Sequence, residues 1–386
     1  MDRIAIFVED RLQASFSGEV FSSNRRLAGA QWTSLGPEGL TSVLCARLGA
    51  PTASTSSHRV DGEVVGLPYY VGIKQAIFQI PKLVVKAVKV AKSSDLVVVK
   101  CPGLVGTVGA IAAKATNTPL AVHCVGDVED SITESPDSIA GSILRKLSKL
   151  ITQWTVSQAD AVRYPTRSYL QEKYPAYDPK AQFWFTDAAV TPVTKVPNPP
   201  EYVAGRIVAI GTQERMYKGH DYLIKALAKI IKDYPESHLV LVGKGSCRPE
   251  LEALATQLGV QDSVEFIDFL EGWNAVSGLM KSAHVFAMPS ITEGLPRALL
   301  EAMSVGVACV GSDAGGIPEL LPDYLLVPKA NAKLLAQVIG KLLSSQELQE
   351  KAARDCLTNS RLFSGESLQP NIDSWQKELL KLVKSA

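Results

Sequence analysis

Glu293 and Glu301 stand eight residues apart in PSITEGLPRALLEAMSVGVACVGSDAGGIPEL, the segment from Pro289 to Leu320. Between them, Pro296 suits the first turn of a helix, where its fixed φ fits and its missing N–H would have no intrahelical partner. The spacing puts Glu293 in the loop before that helix and Glu301 about a turn inside it. At a rise of ~1.5 Å per residue they lie at most about 12 Å apart. That is about the reach of a nucleoside-diphosphate sugar from hexose to ribose. The unpaired amides and positive end of the helix form a natural seat for a diphosphate. Carboxylates at either end can accept from sugar hydroxyls. Taken alone, the pair reads equally well as an N-capping glutamate followed by a second glutamate on a core helix. Upstream, Gly211–Gly219 reads GTQERMYKG, a strand end and a loop with Arg215 and Lys218 ahead of a helix. Cations placed there can neutralise a departing diphosphate. Downstream, Gly315-Gly316-Ile317-Pro318-Glu319 supplies a second glycine turn before a helix.

Other motifs exclude chemistry more than they suggest it. There is no G-x-x-x-x-G-K-[ST], and the first strand is followed by Gln13–Glu19, not by G-x-G-x-x-G. Gly243-Lys244-Gly245 follows a strand, but Arg248 holds the third glycine position, so a nicotinamide cofactor is not expected. Asp127-Val128-Glu129 has the form of a carboxylate metal motif. With no histidine or further carboxylate at ligand spacing, it reads as solvated loop acids, and neither a metal nor a cofactor is expected. The six cysteines (45, 101, 124, 247, 309, 356) contain no C-x-x-C pair and read as small buried hydrophobes of a reducing compartment.

The elements that must position these residues can be read from periodicity. Strands are predicted over 3–8, 95–100, 119–124, 159–164, 206–211, 238–243, 263–267, 284–289 and 307–311. Amphipathic helical patterns such as 220–231, 250–258 and 298–304 lie between them. Unalternating apolar runs suit strands covered on both faces. Strand–helix–strand repetition then predicts an α/β protein with two doubly wound parallel sheets. Prolines 192, 197, 199 and 200 mark a linker. The expected division is a first Rossmann-like domain over 1–195, a second over 201–365, and a C-terminal helix over 366–386 crossing back to the first. The two domains are expected to face each other across a cleft. A chain of 386 residues with 46% hydrophobic and 20% charged residues can bury two cores.

Charge narrows the partners. A net charge of +1 excludes a generally polybasic nucleic-acid binder. Residues 1–200 nevertheless hold 21 basic against 17 acidic residues, whereas the remainder holds 19 against 22. Lysines 74, 82, 86, 89 and 92 fall in an acid-free stretch from Val64 to Ser94, and Arg145, Lys146 and Lys149 in another from Ser138 to Ala159. In a helical register, Ile80, Leu83, Val84, Ala87 and Val88 form one face, with Lys82, Lys86 and Lys89 beside or opposite it. The lysines read equally as a solvated face or as a weak, reversible contact with an anionic membrane surface. The amino-terminal MDRIAIFVED carries acids where a signal peptide stays apolar, and Cys101–Ala113 is too short to span a bilayer. The expected location is cytoplasmic, with the inner membrane face as a peripheral site.

KGHDYLIKAL, LVLVGKG, MPSITEGLPRALLEAM and AGGIPEL occur in order between Arg206 and Leu342. Over that stretch the chain resembles a retaining glycosyltransferase of family 4, whose GT-B architecture pairs two Rossmann-like domains. ADAVRYPTRSYLQEKYP resembles members acting in surface-polysaccharide and O-antigen synthesis. The resemblance implies metal-independent transfer of a hexose-type sugar from a nucleotide-sugar donor to a hydroxyl acceptor, a lipid-linked one included. It implies that Glu301 holds the ribose, Glu293 the sugar, and Lys218 the diphosphate. The diphosphate would lie near the backbone of Gly294, Leu295, Pro296, Arg297 and Ala298, with Gly211 and Gly243 lining the donor site. Where the family carries arginine this chain has Thr212, and Arg215, one turn nearer the lysine, is the candidate to supply that charge. The family's histidine after a first-domain strand has no counterpart here. His123 lies two places early and reads as a strand residue, so Asp127 at the strand mouth is the catalytic candidate of the first domain, beside Gly18 after the first strand. Two rivals remain: a nucleotide-sugar epimerase of the same fold, which would need no acceptor, and a non-catalytic nucleotide-sugar-binding protein.

Overall fold

The computed structural model describes residues 2–24, 27, 29, 31–52, 58–128, 139–188, 190–197 and 201–385. The chain divides into two compact units, Met1–Phe185 with Pro370–Ala386, and Thr186–Gln369.

The first unit runs β1 (Arg3–Ser15), β2 (Val20–Ser22), β3 (Thr41–Thr52), β4 (His58–Val60), β5 (Glu63–Leu67), α1 (Gly72–Lys92), β6 (Leu96–Cys101), α2 (Leu104–Thr116), β7 (Leu120–Cys124), α3 (Ile139–Ser157), β8 (Ala161–Tyr164), α4 (Tyr169–Lys173) and β9 (Gln182–Trp184). Among the described residues its sheet has the parallel order β5-β3-β1-β6-β7-β8-β9, with β2 paired antiparallel to the far half of β1 and β4 antiparallel to β2. The central strands are apolar on both faces: Ile4 to Val8, Val97 to Val99 and Leu120 to Val122 are buried, as a helix-covered parallel sheet requires. The helices α1, α2 and α3 lead from β5 to β6, β6 to β7 and β7 to β8. Right-handed crossovers advancing in one direction put all three on one side of the sheet, and α2 packs against both of the others.

Two expectations are corrected here. The first strand does not stop at Val8 but continues to Ser15, so most of Gln13–Glu19 is strand and hairpin. Gly18 sits in that hairpin turn at φ +86°, a conformation that by itself calls for glycine. The proline-bearing segment is not a detached linker in its described part. Val190 pairs with the backbone of Phe363 and Val193 with Ser304, tying it to the second unit; Pro199 and Pro200 lie outside the described residues.

The second unit runs β10 (Arg206–Ile210), α5 (His220–Ile230), β11 (His238–Val242), α6 (Arg248–Gln257), β12 (Val264–Ile267), α7 (Gly272–Lys281), β13 (Val285–Met288), α8 (Arg297–Ser304), β14 (Cys309–Ser312), β15 (Leu326–Val327), α9 (Ala332–Ser344) and α10 (Gln346–Ser360). The described strands pair in parallel, in the order β12-β11-β10-β13-β14-β15. From β10 the chain winds outward to one edge; from β13 it winds to the other. The switch point therefore falls between β10 and β13, where open parallel sheets bind ligands beyond their strand ends. The last helix, α11 (Gly365–Lys384), belongs to the first unit from Pro370 onward. There Trp375 is buried with its ring edge-on to His123 at 5.2 Å and to Phe183 at 5.4 Å.

Candidate functional site

At the switch point two loops leave neighbouring strands, Gly211–Gly219 after β10 and Pro289–Pro296 after β13. They are stitched together. The amide of Ile291 donates to the Tyr217 carbonyl at 2.7 Å. A Cβ on Gly219 would lie 2.0 Å from the Pro289 carbonyl oxygen, so only glycine allows this approach. Lys218 Nζ donates to Glu293 Oε1 at 2.6 Å, and Ser290 Oγ donates to the same oxygen at 2.7 Å. Both side chains are largely withdrawn from solvent, at 16% exposure for Lys218 and 8% for Glu293. Glu293 Oε2 has no hydrogen-bond partner among the described residues. The lysine ammonium keeps further donors beyond this one bond.

The second glycine turn buttresses that loop. Gly315, at φ +54°, lies so near the loop that a Cβ there would fall 1.7 Å from the Glu293 carbonyl oxygen. Beside it the Gly316 amide donates to the Gly294 carbonyl at 2.8 Å. The helix expected after it is a single 3-10 turn, Ile317–Glu319. AGGIPEL is thus the support that fixes where Glu293 sits.

Helix α8 begins at Arg297, with Pro296 as its N-cap, one position earlier than its expected place in the first turn. No side chain caps this end and no acid occupies the first turn. A cation at that end opposes the dipole by about 0.3–1 kcal/mol, so Arg297 and the open amides together suit an anion. Leu295 precedes the cap and Ala298 is the second residue of the helix. Glu301 accepts from Arg297 Nε at 2.6 Å and is 16% exposed against 59% for the arginine.

Gly243 and Gly245 have a packing role. Their Cβ atoms would lie 1.9 Å from the Gly211 carbonyl oxygen and 2.0 Å from the Gln213 carbonyl carbon. This glycine pair lets the loops after β10 and β11 touch. Arg248 bonds Gln213 Oε1, the Gly243 carbonyl and Asp268 Oδ1, each at 2.8 Å, clamping three strand ends. Sequence reasoning missed that role, although an arginine in a glycine position was the visible signal. Thr212 is exposed and its hydroxyl accepts from the Glu214 amide at 3.3 Å; Arg215 is exposed, as N-cap of the 3-10 turn Met216–Lys218. His220, buried at the start of α5, has its pKa lowered to about 4, by burial first and then by the charges of Lys218 and Arg248.

Asp127 in the first unit requires a correction. It does not present an open carboxylate: it is buried, and Tyr169, Tyr174 and Lys173 all donate to it. It anchors α4 and the residue just beyond it, and burial together with that carboxylate raises both tyrosine pKa values. Glu129 of the same motif lies outside the described residues. His123 is a buried strand residue, its Nε2 facing the Leu35 carbonyl at 3.0 Å and its Nδ1 facing Arg163 at 3.0 Å. Arginine can only donate, so Nε2 carries the proton. Five cysteines are buried, Cys247 is partly exposed, and all six are free thiols.

The family model described as glycosyl transferases group 1 matches residues 205–355, a span that holds both loops, α8 and Gly315. This stretch is a group 1 glycosyltransferase domain. Protein CapJ of Staphylococcus aureus is 28% identical over 316 residues, 82% of this chain and 79% of CapJ. An uncharacterized glycosyltransferase of Methanocaldococcus jannaschii is 40% identical over 137 residues, 34% of each chain. Among solved structures, sucrose-phosphate synthase from Thermosynechococcus elongatus superposes with a TM-score of 0.69 at 17% identity, over 99% of this chain and 100% of that one. Anabaena HepE in complex with UDP-glucose superposes with a TM-score of 0.64 at 18% identity, over 100% of both. Likeness at that identity carries the fold alone: the GT-B architecture of two Rossmann-like units, with the group 1 stretch in the second.

Proposed function

We propose that this glycosyltransferase moves a hexose-type sugar from a nucleoside-diphosphate donor to an acceptor hydroxyl with retention at the anomeric carbon, in polysaccharide or glycolipid synthesis. The observation that carries the reading is the Lys218–Glu293 pair, joined at 2.6 Å across the switch point. Lys218 would turn its remaining donors to the diphosphate, and Glu293 would use Oε2 for a sugar hydroxyl. The open end of α8 would take phosphate oxygens, and Glu301, about a turn on, would accept from the ribose. The C1–O bond to the diphosphate breaks while the acceptor oxygen bonds C1 on the same face, and the acceptor proton passes to the departing phosphate oxygen. Lys218 and the α8 amides would stabilise the charge left on the diphosphate, and no step calls on a metal. With Asp127 enclosed, the reading assigns it no proton transfer. The likeness to HepE, solved in complex with UDP-glucose, favours a nucleotide-sugar donor. A thermal-shift panel of nucleotide sugars tests the reading, since a donor bound to the native state raises its stability by mass action. One donor should raise the melting temperature and be consumed only when an acceptor is present. A panel with no shift, or sugar turnover without acceptor, would overturn it.

A further inference from the structure

Helix α3 is amphipathic in the wrong sense for a helix that merely covers a sheet. Ile143, Leu147, Leu150, Ile151 and Trp154 recur at helical spacing, and all five face outward, between 39% and 60% exposed. The inward face is narrow, with Thr152, Thr155 and Val156 buried. Thr152 and Thr155 bond back to the carbonyls of Ser148 and Ile151, and Thr155 reaches Thr107 of α2 at 3.4 Å. A surface helix ordinarily turns its apolar stripe to the core, so this stripe is built for an outside partner. Arg145, Lys146 and Lys149 lie along it, and α3 contains no acid.

Helix α1, in the same layer, repeats the combination. Phe78 is 80% exposed, and Ile77 and Val85 are exposed beside Lys82 and Lys89. Of the three lysines expected to act together, Lys86 is committed otherwise: its ammonium donates to the Gly66 carbonyl. Neither α1 nor α2 contains an acid.

We propose that the outer faces of α1 and α3 dock on an anionic lipid bilayer. The α3 stripe would enter the headgroup boundary, and the bordering cations would meet lipid phosphates. Apolar residues on a basic, acid-free helix are the composition that lies in such an interface. Charge decides against other occupants. A second copy meeting this face symmetrically would oppose cation to cation, and a nucleic acid would leave the stripe in water. No helix among the described residues is long and apolar enough to cross a membrane, so the contact is peripheral. It does not depend on the transferase reading, and no donor enters its test.

The test is co-sedimentation of the full chain with vesicles of phosphatidylcholine alone and of an equimolar mixture with phosphatidylglycerol, at low and high salt. Wild type should bind the anionic vesicles at least tenfold better, and salt should weaken that binding. Leu147→Glu/Leu150→Glu, at exposed positions, should keep its melting temperature and lose at least tenfold in binding. Lys146→Glu/Lys149→Glu should lose the preference for anionic vesicles. Tryptophan emission should shift to the blue on binding, and not in Trp154→Phe. Failure of wild type to bind, binding by the stripe variant equal to wild type, or a wild-type dimer that the stripe variant dissolves would overturn the proposal.

Discussion

The Glu301 carboxylate has one side-chain partner among the described residues, the exposed Arg297, and that separates its two roles. Its bond to Arg297 is an i,i+4 surface pair, worth about 0.3–0.5 kcal/mol. Glu301→Ala should therefore leave stability almost unchanged while donor affinity, measured by calorimetric titration, falls by roughly 1.5–3 kcal/mol through loss of a charged acceptor. Unchanged affinity would remove Glu301 from the site. Lys218 differs because it is the cation of a largely buried carboxylate. Lys218→Ala should lower turnover by about a hundredfold or more, with nucleoside binding little affected, and should destabilise the protein by a few kcal/mol, on the order of that for a broken buried pair. If Arg215→Ala reduces turnover further, the main diphosphate cation is Arg215. His220 sets a pH dependence. Its folded pKa of about 4 lies below its ordinary 6.5, so the unfolded chain binds the extra proton. The resulting stability is present above about pH 6.5 and is lost as pH falls towards about 4, up to about 3 kcal/mol. His284, also lowered by burial, acts in the same direction. Acid melting curves should show the loss, and His220→Gln should flatten it.

At the scale of elements, the glycine turn after β14 decides whether the donor loop holds its shape. In Gly315→Ala the new methyl would meet the Glu293 carbonyl at 1.7 Å while the backbone stays at φ +54°. The left-handed conformation alone costs roughly 1–2 kcal/mol, and the contact forces the loop to move as well. Gly315→Ala should abolish the donor-induced rise in melting temperature. Gly18→Ala, where nothing lies within 4 Å of the added Cβ, should show the left-handed penalty and keep the donor response. These two variants separate glycines that look alike in sequence.

At the scale of the whole molecule, the first unit is closed by the chain's last stretch. Trp375 fills a seat against His123 and Phe183, and Gln376 accepts from the Glu38 amide at 3.0 Å. Trp375→Ala should cost about 3–5 kcal/mol, as for a large buried aromatic. Scanning calorimetry with and without donor should show the first unit's transition lowered, while that of the second unit keeps its response to donor.

The sequence by itself determined the parallel α/β architecture, because apolar runs of strand length separated by helical periods permit little else. It also marked Glu293, Lys218, Glu301 and the glycine turn, since spacing along a strand–loop–helix unit is local geometry. Tertiary structure alone decided what depends on residues distant in the chain. It joined Lys218 to Glu293 across 75 positions, seated Gly315 under Glu293, and enclosed Asp127 with two tyrosines and a lysine. It also decided which way α3 faces. Periodicity shows that a helix has an apolar side, but only the burial of Thr152, Thr155 and Val156, with Thr155 against Thr107 of α2, puts that side outward.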